Sequence, residues 1–286
     1  MFETESPYTI LPQTGPHSAE VGHALITMVE PHLGHERAYN RWYEDDHIFS
    51  GALFLPWCFA GRRWVATRDL QQLRYPKENS IIANPVTKGC YLGTYWITAG
   101  RLAEHKEWSF SVYNRLVAEG RVNDNRDHVF TAFQDKVETV YRDGRVPKDV
   151  FTLMDPSAGL ILEVVDAVST EDRDVFESWL LTHHLPSRVK VYDSPVSSAM
   201  VFRTRKPDMA MSPELSERIG KIAEAANDPS RLTILWFFSK DPREAWPHFV
   251  AEAELIKASG LGNVALVAPF ISSKMGTNAY DEMLRG

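Results

Sequence analysis

The strongest constraint on this chain is an internal match. When "NRWYEDDHIFS" (40–50) is laid on "ESWLLTHHLPS" (177–187), Trp42 meets Trp179, His47 meets His184 and Ser50 meets Ser187. The same shift carries Gly22 onto Gly159, Leu25 onto Leu162, Val65 onto Phe202 and Thr67 onto Thr204, with no gap across the span. The flanking elements recur in the same order. "GHALITMVE" (22–30) reads as a strand, a helix runs from about Glu36 to His47, and "AGRRWVAT" (60–67) reads as a second strand. Each half then has an apolar strand with a tryptophan, "YLGTYWIT" (91–98) and "LTILWFFS" (232–239). Long helices follow over 102–119 and 242–259, and strands over 128–142 and 263–272 close the two halves. This is β-α-β-β-α-β twice. The expected layout is an arm over 1–20, a first unit over 21–145 and a second over 155–286, joined by a Pro-, Gly- and Asp-rich stretch.

Such a unit makes a four-stranded antiparallel sheet with both helices on one face, and its other face needs cover. Two units in one chain can cover each other, so a single barrel-like core within one chain is expected. Pairing of whole chains into a homodimer would be an added layer. The halves differ in what they insert between their second and third strands: 68–89, without a clear period, and 212–230, which opens on a helix-start signal at Ser212-Pro213-Glu214.

Composition narrows the function classes. The 286 residues carry 31 basic and 38 acidic side chains, a formal charge of −7. A nucleic-acid binder needs a basic face, and no dense Lys/Arg block offers one to nucleic acid or to an anionic membrane. Cys58 and Cys90 are too few for a disulfide framework or a Cys-rich metal site, and read as buried thiols in a reducing compartment. Neither a signal peptide nor a membrane-length apolar run is visible, so the expected location is the cytoplasm. Gly-rich phosphate loops, the G-x-S-x-G elbow and H-E-x-x-H are absent. No metal and no cofactor are expected, although haem, which needs one axial histidine, is left open.

"NRWYEDDHI" followed by "GRRW" resembles the dimeric α+β barrel superfamily and, within it, the EthD-like proteins, with their Trp-Tyr, acid and His on the first helix. The second half keeps Trp179 and "HHLP" but has Leu180 in place of the tyrosine. The resemblance implies α+β architecture, with tandem ferredoxin-like repeats whose antiparallel sheets pack into a barrel. Its range of activities is broad: cofactor-free cyclases, a lactone isomerase, quinone-forming monooxygenases and haem enzymes.

At α-helical spacing Tyr39, Trp42, Tyr43, Asp46 and His47 form one face, leaving Arg41, Glu44 and Asp45 to solvent. Each residue has a plain structural role open to it: core packing for the aromatics, a helix-end contact for His47. An imidazole beside a carboxylate also suits proton transfer near neutral pH. The expectation is therefore a catalytic His47, with Asp46 orienting it and Tyr43 donating to a developing enolate. Strand alternation puts Arg62 and Arg63 on opposite faces, and one of them is expected to hold an anionic group. Trp42, Tyr91, Tyr95, Trp96 and His184 complete the candidate binding residues, with Gly93 leaving room beside the tyrosines. The function expected from this set is a cofactor-independent isomerase, cyclase or lyase acting on a small hydrophobic, ring-bearing or polyketide-like compound. A cofactor-free monooxygenase acting on a phenol and a non-catalytic ligand-binding protein are the alternatives. Leu180 and His183 stand where the first half has Tyr43 and Asp46, so the working pocket is expected in the first half.

Overall fold

The computed structural model describes residues 20–285 apart from 55, 79, 143–147, 192 and 206–227. Nearly all of the arm over 1–20, part of the join and most of the 212–230 insertion thus lie outside the described residues. Among the described residues the chain has eight strands interspersed with helices. The strands are β1 Val21–Pro31, β2 Cys58–Val65, β3 Tyr91–Thr98, β4 Arg126–Tyr141, β5 Gly159–Ala167, β6 Val196–Thr204, β7 Arg231–Phe238 and β8 Gly262–Ser272. The helices are α1 Glu36–Trp42, α2 Arg68–Leu73, α3 Leu102–Ala118, α4 Arg173–Trp179, α5 Leu185–Val189 and α6 Trp246–Ala258. The 68–89 stretch, read as aperiodic, opens with the short α2.

The strands pair antiparallel in the order β1-β3-β2-β8-β5-β7-β6-β4 and close into a barrel. One seam is short: in β2–β8 only Trp64 faces Ser272 and Val65 faces Ile271. The other, β4–β6, runs from Gln134 opposite Thr204 to Tyr141 opposite Ser198. Closure leaves no unpaired edge, so the sheet needs no second chain to complete its ladders.

Alternation sorts the side chains into an inner and an outer layer. Ala24, Ile26, Met28, Trp64, Trp96, Phe130, Leu162, Val164, Phe202 and Phe237 pack together inside the barrel. Outside it, the helices of the second half cover Ile161, Val165, Ile234 and Trp236, while those of the first half cover Val29, Val65, Tyr91 and Tyr95.

The ladders correct the ungapped match. The bulge in β1–β4 falls between Met28 and Val29, and that in β5–β8 between Val164 and Val165, so Met28 corresponds to Val164. Leu25 then corresponds to Ile161, not Leu162: Leu25 packs with the helix layer and Leu162 lies inside the barrel. In β2 and β6 the bulges align Ala60 with Ser198, so Trp64 corresponds to Phe202 and Val65 to Arg203. One residue is gained on each side of the matched helix. A one-residue slip in a strand exchanges its two faces, so the alignment is right on the helix and wrong on both strands.

The first helix also departs from expectation. After Trp42 the chain continues in π-helical turns over Tyr43–His47 and Phe49–Leu53. A π turn closes with an i→i+5 bond, so each residue rotates less than in an α-helix. A face drawn at α spacing is lost beyond Tyr43. Glu44, expected in solvent, is 6% exposed and turned toward the barrel. Asp46, expected inside, points out to Arg121.

Candidate active site

Arg63 organises the space between α1 and the first-half sheet. It sits on the helix-facing side of β2 and is 2% exposed. Its Nη1 donates to Asn40 Oδ1 and to Glu44 Oε1, at 2.8 Å for the latter. Glu44 Oε2 accepts in turn from Arg41 Nη2 and from the Gly276 backbone N–H, both at 2.6 Å. Three tyrosine rings surround the guanidinium, with centroids 3.8 Å (Tyr91), 4.4 Å (Tyr43) and 5.5 Å (Tyr39) from its carbon. Such cation–π packing suits arginine, whose planar cation is weakly hydrated. Nε and Nη2 of Arg63 are buried and have no hydrogen-bond partner among the described residues. A cavity of ≈ 180 Å³, mouth included, opens beside them, lined by Thr27, Val29, Tyr39, Tyr43, Arg63, Tyr91, Leu92 and Gly93. Its enclosed part admits a water molecule. Burial raises the hydroxyl pKa of Tyr39, Tyr43 and Tyr91, so all three stay neutral near pH 7.

The two arginines lie on opposite faces of β2. Arg62 lies on the other face of β2, stacked over Trp64, and its guanidinium donates to Asp155 O, Ser157 O and Ser272 Oγ. It ties β2 to the chain before β5 and takes no part in the cavity. Trp96 is likewise withdrawn: it is inside the barrel, stacked on Phe202 and donating to Thr152 Oγ1 at 3.0 Å. Tyr91 and Gly93 line the cavity, and Tyr95 stands behind it in a short hydroxyl contact with Tyr43. Glu44 and Asn40 join Arg63 although α spacing assigns Glu44 to solvent and Asn40 carries no motif.

The proposed His47–Asp46 couple is not formed. Asp46 is ion-paired with Arg121 and accepts from Ser50 Oγ at 2.9 Å, and the Arg121 hydrogen bond holds its carboxyl below the ordinary range. His47 is stacked on Trp42 at 4.4 Å. Burial, with the charge of Arg126, pushes its imidazole down to about 3. A base that weak does little proton abstraction near pH 7. His184 lies in the second half, 5.1 Å from Trp179 and 3.2 Å from Arg188 Nη1, away from the Arg63 cavity.

No protein-family model matches the chain, and no curated protein matches it. Solved structures do resemble it. An anthrone oxidase-like protein aligns over 89% of this chain and 93% of its own, at 9% identity and a TM-score of 0.50. A heme-binding protein from Thermus thermophilus aligns over 93% and 94% at 10% identity, TM-score 0.43. A dye-decolorizing peroxidase from Bacteroides thetaiotaomicron aligns over 90% and 95% at 7% identity, TM-score 0.45. The fold is a ferredoxin-like α+β barrel. The expectation of a cofactor-independent isomerase, cyclase or lyase is overturned, because Asp46 pairs with Arg121 and His47 stacks on Trp42, so the acid–base couple it rested on is not formed.

A histidine that ligates haem iron presents a ring nitrogen to open space. His47 Nδ1 is buried without a partner among the described residues, but the ring is covered by Trp42 and by the backbone at Gly51, where an added Cβ would lie 2.6 Å from Nδ1. His184 faces Arg188, and His128 has both ring nitrogens hydrogen-bonded. These three histidines do not fit a haem ligand. Among the described residues no cluster of His, Cys, Asp and Glu suits a metal ion, and no helix is long and apolar enough to cross a membrane.

Proposed function

We propose that the protein oxidises a small electron-rich ring compound, a phenol or an enolisable ring ketone, held as its anion against Arg63. The observation that carries this reading is the pair of unpartnered N–H groups, Nε and Nη2, on a buried guanidinium beside a cavity. A buried donor without an acceptor is unfavourable by about 1–3 kcal/mol, more when charged, so the site favours an occupant that accepts from both. The walls are aromatic, which suits a flat ring. A ring needs more space than the enclosed part offers, and the segment beside it is π-helical, a form frequent at functional sites.

The chemistry follows from the anion. An oxyanion on Arg63 makes its ring a good electron donor, and dioxygen is the acceptor. One oxygen atom becomes a carbonyl on the ring carbon, and the other leaves as water with the two hydrogens lost by the substrate. Arg63 holds the oxyanion, Tyr91 and Tyr43 pack the ring, and Glu44 with Asn40 fixes the guanidinium. In the second half Val201, Leu180 and Leu232 stand at the places of Arg63, Tyr43 and Tyr91, so this reading places the chemistry in the first half alone. It agrees with a duplicated chain, divided as 21–145 and 155–286, in which one copy keeps only a structural role. The EthD-like resemblance rests on the motif around Trp42 and His47, and belongs to the same proposal.

The test is oxygen uptake with anthrone and 1-naphthol as substrates, followed by detection of the quinone-type product. Arg63→Lys keeps the charge but removes the two free N–H donors, and is expected to lower uptake at least tenfold. No oxygen consumption by the wild-type protein with any electron-rich phenol or anthrone would overturn the reading.

A further inference from the structure

Behind the Arg63 cavity runs a row of hydrogen bonds. Thr27, which lines the cavity, has its Oγ1 2.7 Å from Thr131 Oγ1. Thr131 Oγ1 is 2.9 Å from Nδ1 of His128, and His128 Nε2 is 3.3 Å from Nε of Arg126. The ladder explains how these residues meet. Thr27 is directly opposite Thr131, and the bulge after Met28 places His128 opposite Val29 where Val129 would otherwise stand. Val129 packs inside the barrel, and His128 joins Thr131 on the helix-facing side.

The direction of this row is set at its outer end. A guanidinium carries only donors, so Arg126 donates and His128 Nε2 accepts. A neutral imidazole then carries its proton on Nδ1 and donates to Thr131 Oγ1. Either hydroxyl can supply the hydrogen of the Thr27–Thr131 bond; where Thr131 supplies it, the hydrogen of Thr27 is left for the cavity. The ring is neutral because burial and Arg126 push it down to about 3.

We propose that His128, acting through Thr131, fixes Thr27 as a hydrogen-bond donor to the anionic oxygen of the substrate, beside Nε and Nη2 of Arg63. The proposal rests on the reading of the Arg63 cavity given above. It adds a specificity rule. In this arrangement all three groups present a hydrogen to the same oxygen, so the site prefers a deprotonated oxygen to a hydroxyl and lowers the pKa of a phenol bound there. Thr27 is the substrate-contacting residue, and His128 and Thr131 are positioning residues.

Two measurements decide it. Nitrogen-15 NMR of the ligand-free protein, with His128 assigned by its loss in His128→Asn, reads the tautomer directly. A protonated Nδ1 and a bare Nε2 at neutral pH are expected, and a protonated Nε2 or an imidazolium overturns the row. Binding of 4-nitrophenol, followed by absorbance across a pH series, then reads the donor. Thr27→Val and His128→Leu are expected to weaken binding of the anion about tenfold, the scale of one hydrogen bond to a charged group, and to raise the pKa of the bound probe. Thr27→Ser and His128→Asn, which keep a donor in place, are expected to retain both. Anion binding unchanged in Thr27→Val overturns the donor role alone. Failure of the wild-type protein to bind the anion overturns the cavity reading together with it.

Discussion

Trp42 and His47 lie face to face, their ring centroids 4.4 Å apart and their planes 20° from parallel. The guanidinium of Arg126 lies 4.5 Å from the Trp42 ring. Removing a general acid–base group would slow turnover about 100-fold or more. A stacking residue behaves differently: His47→Phe, which keeps a ring against Trp42, is expected to leave oxygen uptake within about threefold of wild type. Steady-state rates on the purified variant check this, and a loss approaching the acid–base scale would restore His47 to the chemistry.

Acid stability should report the buried histidines. His184 is 4% exposed, and burial with the charge of Arg188 pushes its pKa to about 3 from an ordinary 6.5. The unfolded chain therefore binds this proton where the folded chain does not. Stability present above pH 6.5 is lost as pH falls from there toward 3, by up to about 1.4 kcal/mol per pH unit for one such group. Urea midpoints at pH 7 and pH 5 measure it, and His184→Gln is expected to flatten the slope. A slope unchanged in that variant would count against a neutral His184.

Glu44 and Arg63 form a pair at 2.8 Å with side-chain exposures of 3% and 1%. Removing one partner of such a pair leaves a buried charge and typically destabilises by about 3–5 kcal/mol. Glu44→Leu alone is expected to fall in that range, and Arg63→Met with Glu44→Leu to recover most of the loss. Denaturant unfolding of the single and double variants tests this, the contrary result being a single variant that loses less than about 1 kcal/mol.

Gly93 keeps the cavity open. A Cβ there would lie 3.0 Å from Tyr95 Cε2 and 3.1 Å from both Thr27 Cγ2 and Tyr95 Oη. Gly93→Ala is expected to abolish 4-nitrophenol binding while leaving far-ultraviolet circular dichroism unchanged. Wild-type affinity in this variant would mean that the ring binds elsewhere.

The C-terminal segment belongs to the same wall. Leu284 is fully buried with Tyr39, Tyr43 and Tyr91, and its carbonyl accepts from Gln71 Nε2 at 3.0 Å. Leu284→Ala is expected to destabilise by about 2–5 kcal/mol, the range for truncating a buried leucine. Thermal unfolding monitored by tryptophan fluorescence would show it, and an unshifted midpoint would mean that Leu284 is not packed in solution.

Composition and periodicity were enough for the element order, because strand and helix faces are written in local apolar spacing. They also drew attention to the tyrosines, to Gly93 and to the paired Trp42–His47 and Trp179–His184, which stack alike in both halves. Register was beyond them. A single bulge decides which face every later residue takes, and it turned Leu25 and Leu162 to opposite layers despite their matching letters. The π-helical turns had the same effect on α1, moving Glu44 inward and Asp46 out to Arg121, 75 positions along the chain. Local sequence settles which residues can be buried. Which of them meet is decided by backbone geometry and by partners distant in sequence, since Asn40 and Glu44 reach Arg63, and Thr27 and His128 reach Thr131, only once the chain has folded.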